Sequence, residues 1–307
     1  MQQTLQKPAI LSGIGLHKAV ATTLRILPAD VNHGIVFKRV DITDRDNVIP
    51  ARWDHVVDTQ LCTVIGNKDG VTVATIEHLM AALRACGIDN AMIEIDAQEV
   101  PIMDGSSAPF VEAFDLAGIQ KQSEPRRVIR VLKEVTYTEG DKTVSLSPSA
   151  VPVYAGELQY DNTFIGTQRF EMKLVNGNFR HDLADCRTFC LKQDVEIMQA
   201  NGLALGGSLD NAVVVDDTGI MNEDGLRCDN EMIRHKLLDA IGDLALAGGL
   251  VVGAYDGVRI GHAMNNKLLH ALFADDSAWE YADLYVDFED DHSLIMQEPV
   301  SAEAINA

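Results

Sequence analysis

The residues best suited to chemistry lie in one segment, 229–248, which reads DNEMIRHKLLDAIGDLALAG. His235, Asp239 and Asp243 recur every four residues, so on a helix they stack on one face, one turn apart. A histidine and an aspartate at this spacing can fill two positions around a metal from one rigid helix. The alternative is a solvated polar face whose charges are incidental.

A histidine far away in the chain offers a third ligand. His78 lies in another segment with helical periodicity, 74–86. Two histidines and one carboxylate leave a position for water, which is typical of catalytic zinc sites and not of closed structural ones. We therefore predict that His78, His235 and Asp239 bind one catalytic zinc ion. Zinc lowers the pKa of its bound water to about 7 and polarises a carbonyl.

Ionisable residues near these ligands can transfer protons. Glu77 has the chemistry of a general base acting on that water. His262 can protonate an amine leaving group, with Asp243 orienting it or holding its charge. Simpler roles stay open, namely Glu77 as a carboxylate favoured by a helix dipole and His262 as a helix-start residue.

The elements that must position these residues occur twice along the chain. In each half a histidine lies near the start of a long helix, which is followed by a glycine, a strand and a second helix. The predicted pairs are helices 74–86 and 229–248, strands 90–96 and 251–255, and helices 107–117 and 265–273. Self-similarity of this kind indicates a duplicated unit. If the two halves pack helix to helix, His78 and His235 can meet in the cleft between them.

The sequence thus predicts an α+β fold of two similar two-layer domains. Each is a mostly antiparallel sheet packed on two helices, and the helical layers face each other. We place the boundary in the polar, aperiodic segment 121–127, which gives domains 1–124 and 125–307.

Composition excludes several functional classes. A formal net charge of −21 repels nucleic acid and anionic lipid, although an anionic small molecule can still bind where a few cations cluster. The five cysteines are scattered and form no CxxC motif, which suits a reducing cytosol and not a disulfide framework. No apolar run reaches ~18 residues, and no signal peptide is visible. We expect a cytoplasmic monomer with a small-molecule substrate.

The remaining histidines lack a partnered motif and are interpreted as surface or turn residues. They are His17, His33, His55, His181, His270 and His292.

Motifs along nearly the whole chain carry a family resemblance. They are GIGLH (13–17), TIEHLMAAL (75–83), GIDN (87–90), PIMDGS (101–106), CRTF (186–189), LGGS (205–208), NEDGLR (222–227), RHKLLDAIGDL (234–244) and GHAMNNKLL (261–269). Together they resemble the zinc-dependent UDP-3-O-acyl-N-acetylglucosamine deacetylases of lipid A biosynthesis in Gram-negative bacteria. The resemblance implies hydrolysis of the N-acetyl group of the UDP-linked sugar, with release of acetate.

The resemblance also implies a role for each matching residue. It gives His78, His235 and Asp239 as zinc ligands, Glu77 as general base, His262 as general acid and Asp243 as the carboxylate that tunes it. For the substrate it implies Thr188 at the oxyanion, Lys236 near the diphosphate, Phe189 beside the sugar and Tyr160 on uracil. Further substrate-binding positions are assigned to Leu61, Cys62, Gly207 and Ser208.

Each implied domain carries an insert, a small β insert near 41–72 and a βαβ-like insert near 190–217. The second insert would line an apolar passage for the acyl chain, where each buried methylene contributes roughly 0.8 kcal/mol. Apolar surface would come from Ile197, Met198, Leu203, Leu205, Leu209 and Val213. Departures from the family pattern at Cys190, Ile260 and Met264 concern local packing and acyl preference.

Two alternatives belong to other classes. A catalytically silent binding protein would have lost a metal ligand or Glu77, and both are present. A zinc amidase for another substrate would lack the apolar insert and the cation at position 236.

Overall fold

The computed structural model describes residues 1–285 and 295–296, which form an α+β fold with mostly antiparallel sheets. The strands of the first half are β1 (Gln3–Leu5), β2 (Ala9–Ile14), β3 (Ala21–Pro28), β4 (Ile35–Arg39), β5 (Val48–Pro50), β6 (Val56–Asp58), β7 (Val64–Gly66), β8 (Thr72–Val73), β9 (Ala91–Ile95) and β10 (Ile119–Lys121). Its helices are α1 (Glu77–Ala85) and α2 (Ala108–Ala117), with a 3₁₀ turn at Trp53–His55.

The second half continues the same alternation. Its strands are β11 (Arg126–Val131), β12 (Val135–Glu139), β13 (Lys142–Ser147), β14 (Val153–Gln159), β15 (Thr167–Lys173), β16 (Phe189–Leu191), β17 (Val213–Val215), β18 (Leu250–Val252), β19 (Ala254–Val258), β20 (Trp279–Tyr285) and β21 (Ile295–Met296). Its helices are α3 (Asn178–Asp182), α4 (Lys192–Ala200), α5 (Glu231–Ala245) and α6 (His262–Phe273).

The two halves repeat one sheet topology. The five-stranded sheets have the orders β2-β3-β9-β4-β5 and β12-β13-β19-β14-β15. In each sheet the central strand is parallel to one neighbour and antiparallel to the other. The predicted duplication of an α+β unit is therefore confirmed.

The helices of the two halves pack against each other between the sheets. Helix α1 contacts α5, and α5 also packs on β14, β15 and α6. Thirteen of the fifteen residues of α5 are buried, because the helix is covered by its own sheet on one side and by α1 on the other. The alternative of a solvated polar face is therefore wrong, because Glu231, His235, Asp239 and Asp243 of α5 are enclosed by protein.

The two helices approach most closely at a glycine. A Cβ added at Gly242 of α5 would overlap the carbonyl oxygen of Glu77, the first residue of α1. Glycine is therefore what permits the backbones to touch at this point.

Strands β12 and β13 form a hairpin, whereas Arg126–Val131 pairs with β18 and β20 in another sheet. The strand predicted over 251–255 is divided at Gly253, where the chain passes from one sheet to another. A side chain at Gly253 would lie 2.7 Å from Val131 Cγ2, so the crossing requires glycine.

Smaller sheets flank the repeated units. Strands β6, β7 and β8 form an antiparallel sheet within residues 56–73, and β16 and β17 form a parallel pair joined through α4. The chain passes between halves at residues 122–125, between β10 and β11, and a domain boundary there stays a prediction. Among the described helices, none has both the length and the apolar character needed to cross a bilayer.

A candidate metal and catalytic site between two helices

Helices α1 and α5 bring three potential metal ligands together. Asp239 Oδ1 lies 3.5 Å from His78 Nε2 and 3.4 Å from His235 Nε2. The two imidazole rings are nearly perpendicular, with centroids 4.8 Å apart. All three side chains are buried, and this group could hold one metal ion.

The hydrogen bonding of Asp239 leaves one of its carboxylate oxygens available to a bound cation. Asp239 Oδ2 accepts a bond from Lys236 Nζ at 3.0 Å, whereas the buried Oδ1 has no donor among the described residues. A buried carboxylate oxygen without a partner is costly, and a metal ion at that atom would compensate the cost.

The protonation state and the ring orientation of His235 also suit a metal ligand. Its Nδ1 lies 2.9 Å from the carbonyl oxygen of Cys186, and because a carbonyl can only accept, Nδ1 carries the proton. This leaves the Nε2 lone pair directed at Asp239, as in metal sites whose histidines are oriented by an outer hydrogen bond. Burial lowers the pKa of His235 to about 4, so the ring is neutral at pH 7, as ligation requires.

Glu77 is buried beside the metal-ligand group. Its Oε2 accepts a bond from the main-chain N–H of Thr63 at 3.1 Å, and its Oε1 lies 3.7 Å from His262 Nε2. Burial raises the pKa of Glu77, against the opposing charge of His262. A carboxylate with a raised pKa is a stronger base than an exposed one.

His262 begins α6 and forms a buried pair with Asp243. Its Nδ1 lies 2.9 Å from Asp243 Oδ2, which also accepts a bond from Asn265 Nδ2 at 2.8 Å. Burial alone would lower the pKa of His262, but the carboxylates of Asp243 and Glu77 outweigh it and raise the pKa to about 9. The ring is therefore protonated at neutral pH and can donate from Nε2.

Two further members of this network were not predicted. Thr63 donates its hydroxyl to Asp243 Oδ1 at 2.5 Å, so it contacts both Asp243 and Glu77. Asn265 bridges Asp243 and the Tyr255 hydroxyl. Asn265 follows His262 by three residues on one helix, and that spacing was an available signal. Thr63 arrives from a β insert, and nothing in its local sequence marks it.

His17 lies in a turn, as predicted, but it is not at the surface. It is 8% exposed, and neither ring nitrogen has a hydrogen-bond partner among the described residues. Its main-chain N–H donates to Glu99, which folds the 15–20 loop inward. The structure places His33 and His55 at half-buried positions and His181 and His270 at exposed ones, while His292 lies outside the described residues.

A cavity of about 1040 Å³ adjoins these residues. Predicted site residues that line it are Thr188, Lys236, His262, Phe189, Tyr160, Leu61, Gly207 and Ser208. Cys62 is instead buried and lines a neighbouring cavity of about 260 Å³, which Leu61 also borders. The structure therefore brings all the predicted substrate-binding residues except Cys62 to one cavity.

Aromatic rings and a cation lie together on the cavity wall. Lys236 Nζ is 5.8 Å from the centroid of the Phe189 ring, and the Tyr160 ring meets Phe189 edge-on at 5.9 Å. Thr188 is held by its own backbone, because its N–H donates to Gly105 and its carbonyl accepts from Val213.

The predicted apolar wall is partly correct. Ile197, Met198, Leu203 and Leu209 line the cavity. Val213 does not, because alternate residues of β17 face opposite sides, so that Val213 lies in the core and Val214 faces the cavity. Leu205 is exposed and is not among the lining residues.

Comparison with known proteins adds independent evidence. A family model described as UDP-3-O-acyl N-acetylglycosamine deacetylase matches residues 2–274. A relative from Phenylobacterium zucineum, named UDP-3-O-acyl-N-acetylglucosamine deacetylase, is 48% identical over 278 residues, covering 91% of this chain and 95% of the relative. Relatives of the same name from Stenotrophomonas maltophilia (45% over 282 residues, 91% and 92% covered) and Actinobacillus pleuropneumoniae (43% over 297 residues, 94% of each) are similar along the same length.

Proposed function

Because the chain belongs to the UDP-3-O-acyl-N-acetylglucosamine deacetylase family, we propose that it is a zinc-dependent amidohydrolase. It removes the N-acetyl group of a UDP-3-O-acyl-N-acetylglucosamine, releasing acetate, as a step of lipid A biosynthesis. The observation that carries this proposal is the buried His78–His235–Asp239 group beside a large cavity lined by Lys236 and His262.

His78, His235 and Asp239 would hold the zinc ion, since two imidazoles and one carboxylate are a catalytic zinc ligand set. When bound, zinc supplies Lewis acidity, which lowers the pKa of water to about 7 and polarises a carbonyl. Lys236 neutralises the second oxygen of Asp239 and so leaves Oδ1 for the ion.

Glu77 acts as the general base. It accepts a proton from the water that attacks the acetyl carbonyl carbon, and its raised pKa increases its basicity. The main-chain N–H of Thr63 fixes one carboxylate oxygen and leaves the other facing His262. The hydroxyl of Thr188 donates to the oxyanion that develops on the carbonyl oxygen.

His262 acts as the general acid. With a pKa of about 9 it is protonated at neutral pH, and it donates the Nε2 proton to the amine leaving group. Asp243 accepts from Nδ1, which orients the ring and stabilises its charge.

The cavity would bind the rest of the substrate. Lys236 lies near the diphosphate, Phe189 beside the sugar and Tyr160 against uracil, with Leu61, Cys62, Gly207 and Ser208 as further contacts. The acyl chain occupies the apolar wall formed by Ile197, Met198, Leu203 and Leu209. We further propose that the protein works as a cytoplasmic monomer.

Zinc analysis combined with a deacetylation assay tests the proposal. Purified protein should contain one zinc per chain, lose activity on chelation and regain it when zinc is restored. Glu77→Gln should keep zinc and lose most of kcat, whereas Asp239→Ala should lose zinc. Full activity in metal-free protein would overturn the zinc assignment, and failure of the zinc-loaded protein to release acetate would overturn the substrate.

A further inference from the structure

Two cysteines meet beside the candidate metal site. Cys186 Sγ lies 3.5 Å from Cys228 Sγ, and both thiols are free. Cys186 is almost fully buried and Cys228 is half-buried, so a small reagent reaches the pair from the Cys228 side.

A buried carboxylate holds the two cysteine-bearing loops together. Glu231 Oε1 accepts the main-chain N–H of Arg187, the residue after Cys186. Glu231 Oε2 accepts the main-chain N–H of Arg227, the residue before Cys228. Because one rigid group fixes both backbones, the approach of the two sulfurs is built into the fold.

The same loop is coupled to a metal ligand. The carbonyl oxygen of Cys186 accepts the Nδ1 proton of His235 and so orients the ring that offers Nε2. A disulfide requires an S–S distance of about 2.0 Å, so the two sulfurs must approach by about 1.5 Å. That closure pulls on the backbone that positions His235.

We propose that Cys186 and Cys228 form an oxidisable thiol pair whose disulfide weakens metal binding at His235. The oxidant is a low-molecular-weight disulfide such as oxidised glutathione. The Cys228 thiolate attacks one of its sulfurs, forms a mixed disulfide and expels one thiolate. The Cys186 thiolate then attacks Cys228 Sγ, forms the internal disulfide and expels the second thiolate. The two protein thiols lose two electrons, the oxidant is reduced to two thiols, and the two cysteine protons pass to the expelled thiolates.

The environment makes this reaction slow at neutral pH. Burial raises the pKa of both thiols, so little thiolate is present at pH 7. The rate of oxidation should therefore rise with pH.

Peptide mapping of the zinc-loaded full-length chain tests the pair directly. After incubation with oxidised glutathione and alkylation of free thiols, a non-reducing digest should contain one peptide that links Cys186 to Cys228. Dithiothreitol should abolish it. Transfer of zinc to a chromogenic chelator should show a dissociation constant raised about tenfold or more in the oxidised protein, the effect typical of a disturbed outer hydrogen bond to a ligand.

Two variants serve as matched tests. Cys228→Ser should form no internal disulfide and should keep its zinc affinity in the presence of oxidant. Cys86→Ser removes a half-buried cysteine outside the pair and should behave as the parent protein does. A glutathione adduct on Cys228 without the linked peptide would overturn the pair, and a linked peptide with unchanged zinc transfer would overturn its coupling to the metal site. Both of these outcomes are measured on the parent protein, so neither test depends on whether a variant folds.

Discussion

The contact between α1 and α5 at Gly242 makes the substitution Gly242→Ala informative. A Cβ at this position would lie 2.8 Å from the carbonyl carbon and 3.0 Å from the Cα of Glu77. Carbon atoms in good contact are about 3.5–4.0 Å apart. The nearest atom would be the Glu77 carbonyl oxygen at 2.0 Å, so the two backbones must separate locally by more than about 1 Å.

That separation should affect activity more than stability. Overpacking typically costs about 1–3 kcal/mol, and the better helix propensity of alanine returns about 1 kcal/mol. The net loss in the free energy of unfolding is then about 0–2 kcal/mol. Catalytic groups misplaced by about 1 Å can cost about 100-fold in rate, and Glu77 and His78 lie on the displaced helix.

Steady-state kinetics, zinc content and urea unfolding should be measured together. We expect Gly242→Ala to remain folded, with kcat/KM lowered by about 10- to 100-fold. Gly249→Ala is the matched control, because its Cβ would lie 3.2 Å from the Arg127 carbonyl oxygen, away from the site, and kcat/KM should be retained. A folded Gly242→Ala protein whose kcat/KM stays within twofold would refute the idea that this contact positions the catalytic groups.

Other predictions concern the hydrogen bonds around the site. Asp243→Asn removes the carboxylate that raises the pKa of His262 to about 9, so the alkaline limb of the pH–kcat profile should move to lower pH; an unmoved limb would contradict the acid role. The pKa of His262 in the folded protein, about 9, lies above its ordinary value of 6.5. The stabilisation that protonation of His262 gives is therefore complete below pH 6.5 and is lost as the pH rises through 9. The free energies of unfolding in urea of the metal-free protein and of metal-free His262→Gln should therefore converge over that pH range. Thr63→Val removes the hydroxyl donor to Asp243 and should lower kcat about tenfold, with zinc content unchanged by elemental analysis. Arg187→Met leaves buried Glu231 without a counter-charge and should cost about 3–5 kcal/mol in urea unfolding. Part of this should be recovered in the double variant Arg187→Met, Glu231→Gln, which removes the buried charge and keeps an oxygen acceptor for a main-chain N–H.

Much of the candidate metal site could be predicted, because the sequence signals for it are either local or repeated in the two halves. The spacing of His235 and Asp239 follows from helical geometry, and the repeated order of elements indicated that His78 would face them. The two-layer architecture follows from the same repeat, whose sheets share one strand order.

The remaining contacts could not be predicted, because they depend on the packing of distant segments. Thr63 reaches Asp243 across 180 residues of sequence. The group that orients His235 is a main-chain carbonyl, which every residue has, so sequence carries no signal for it. Val213 was misassigned because a three-residue strand is too short to show which of its faces is buried.

The three candidate ligands come from both halves, one from the first and two from the second, so a bound metal ion would link the two halves. Either half alone lacks the complete set, and an unfolded chain does not hold the three side chains together, so the free energy of metal binding would be added to that of folding. At a free metal concentration of about 100 times the dissociation constant, this linkage contributes about 2.7 kcal/mol. The supply of metal would then determine the lifetime of the folded protein as well as its catalytic rate.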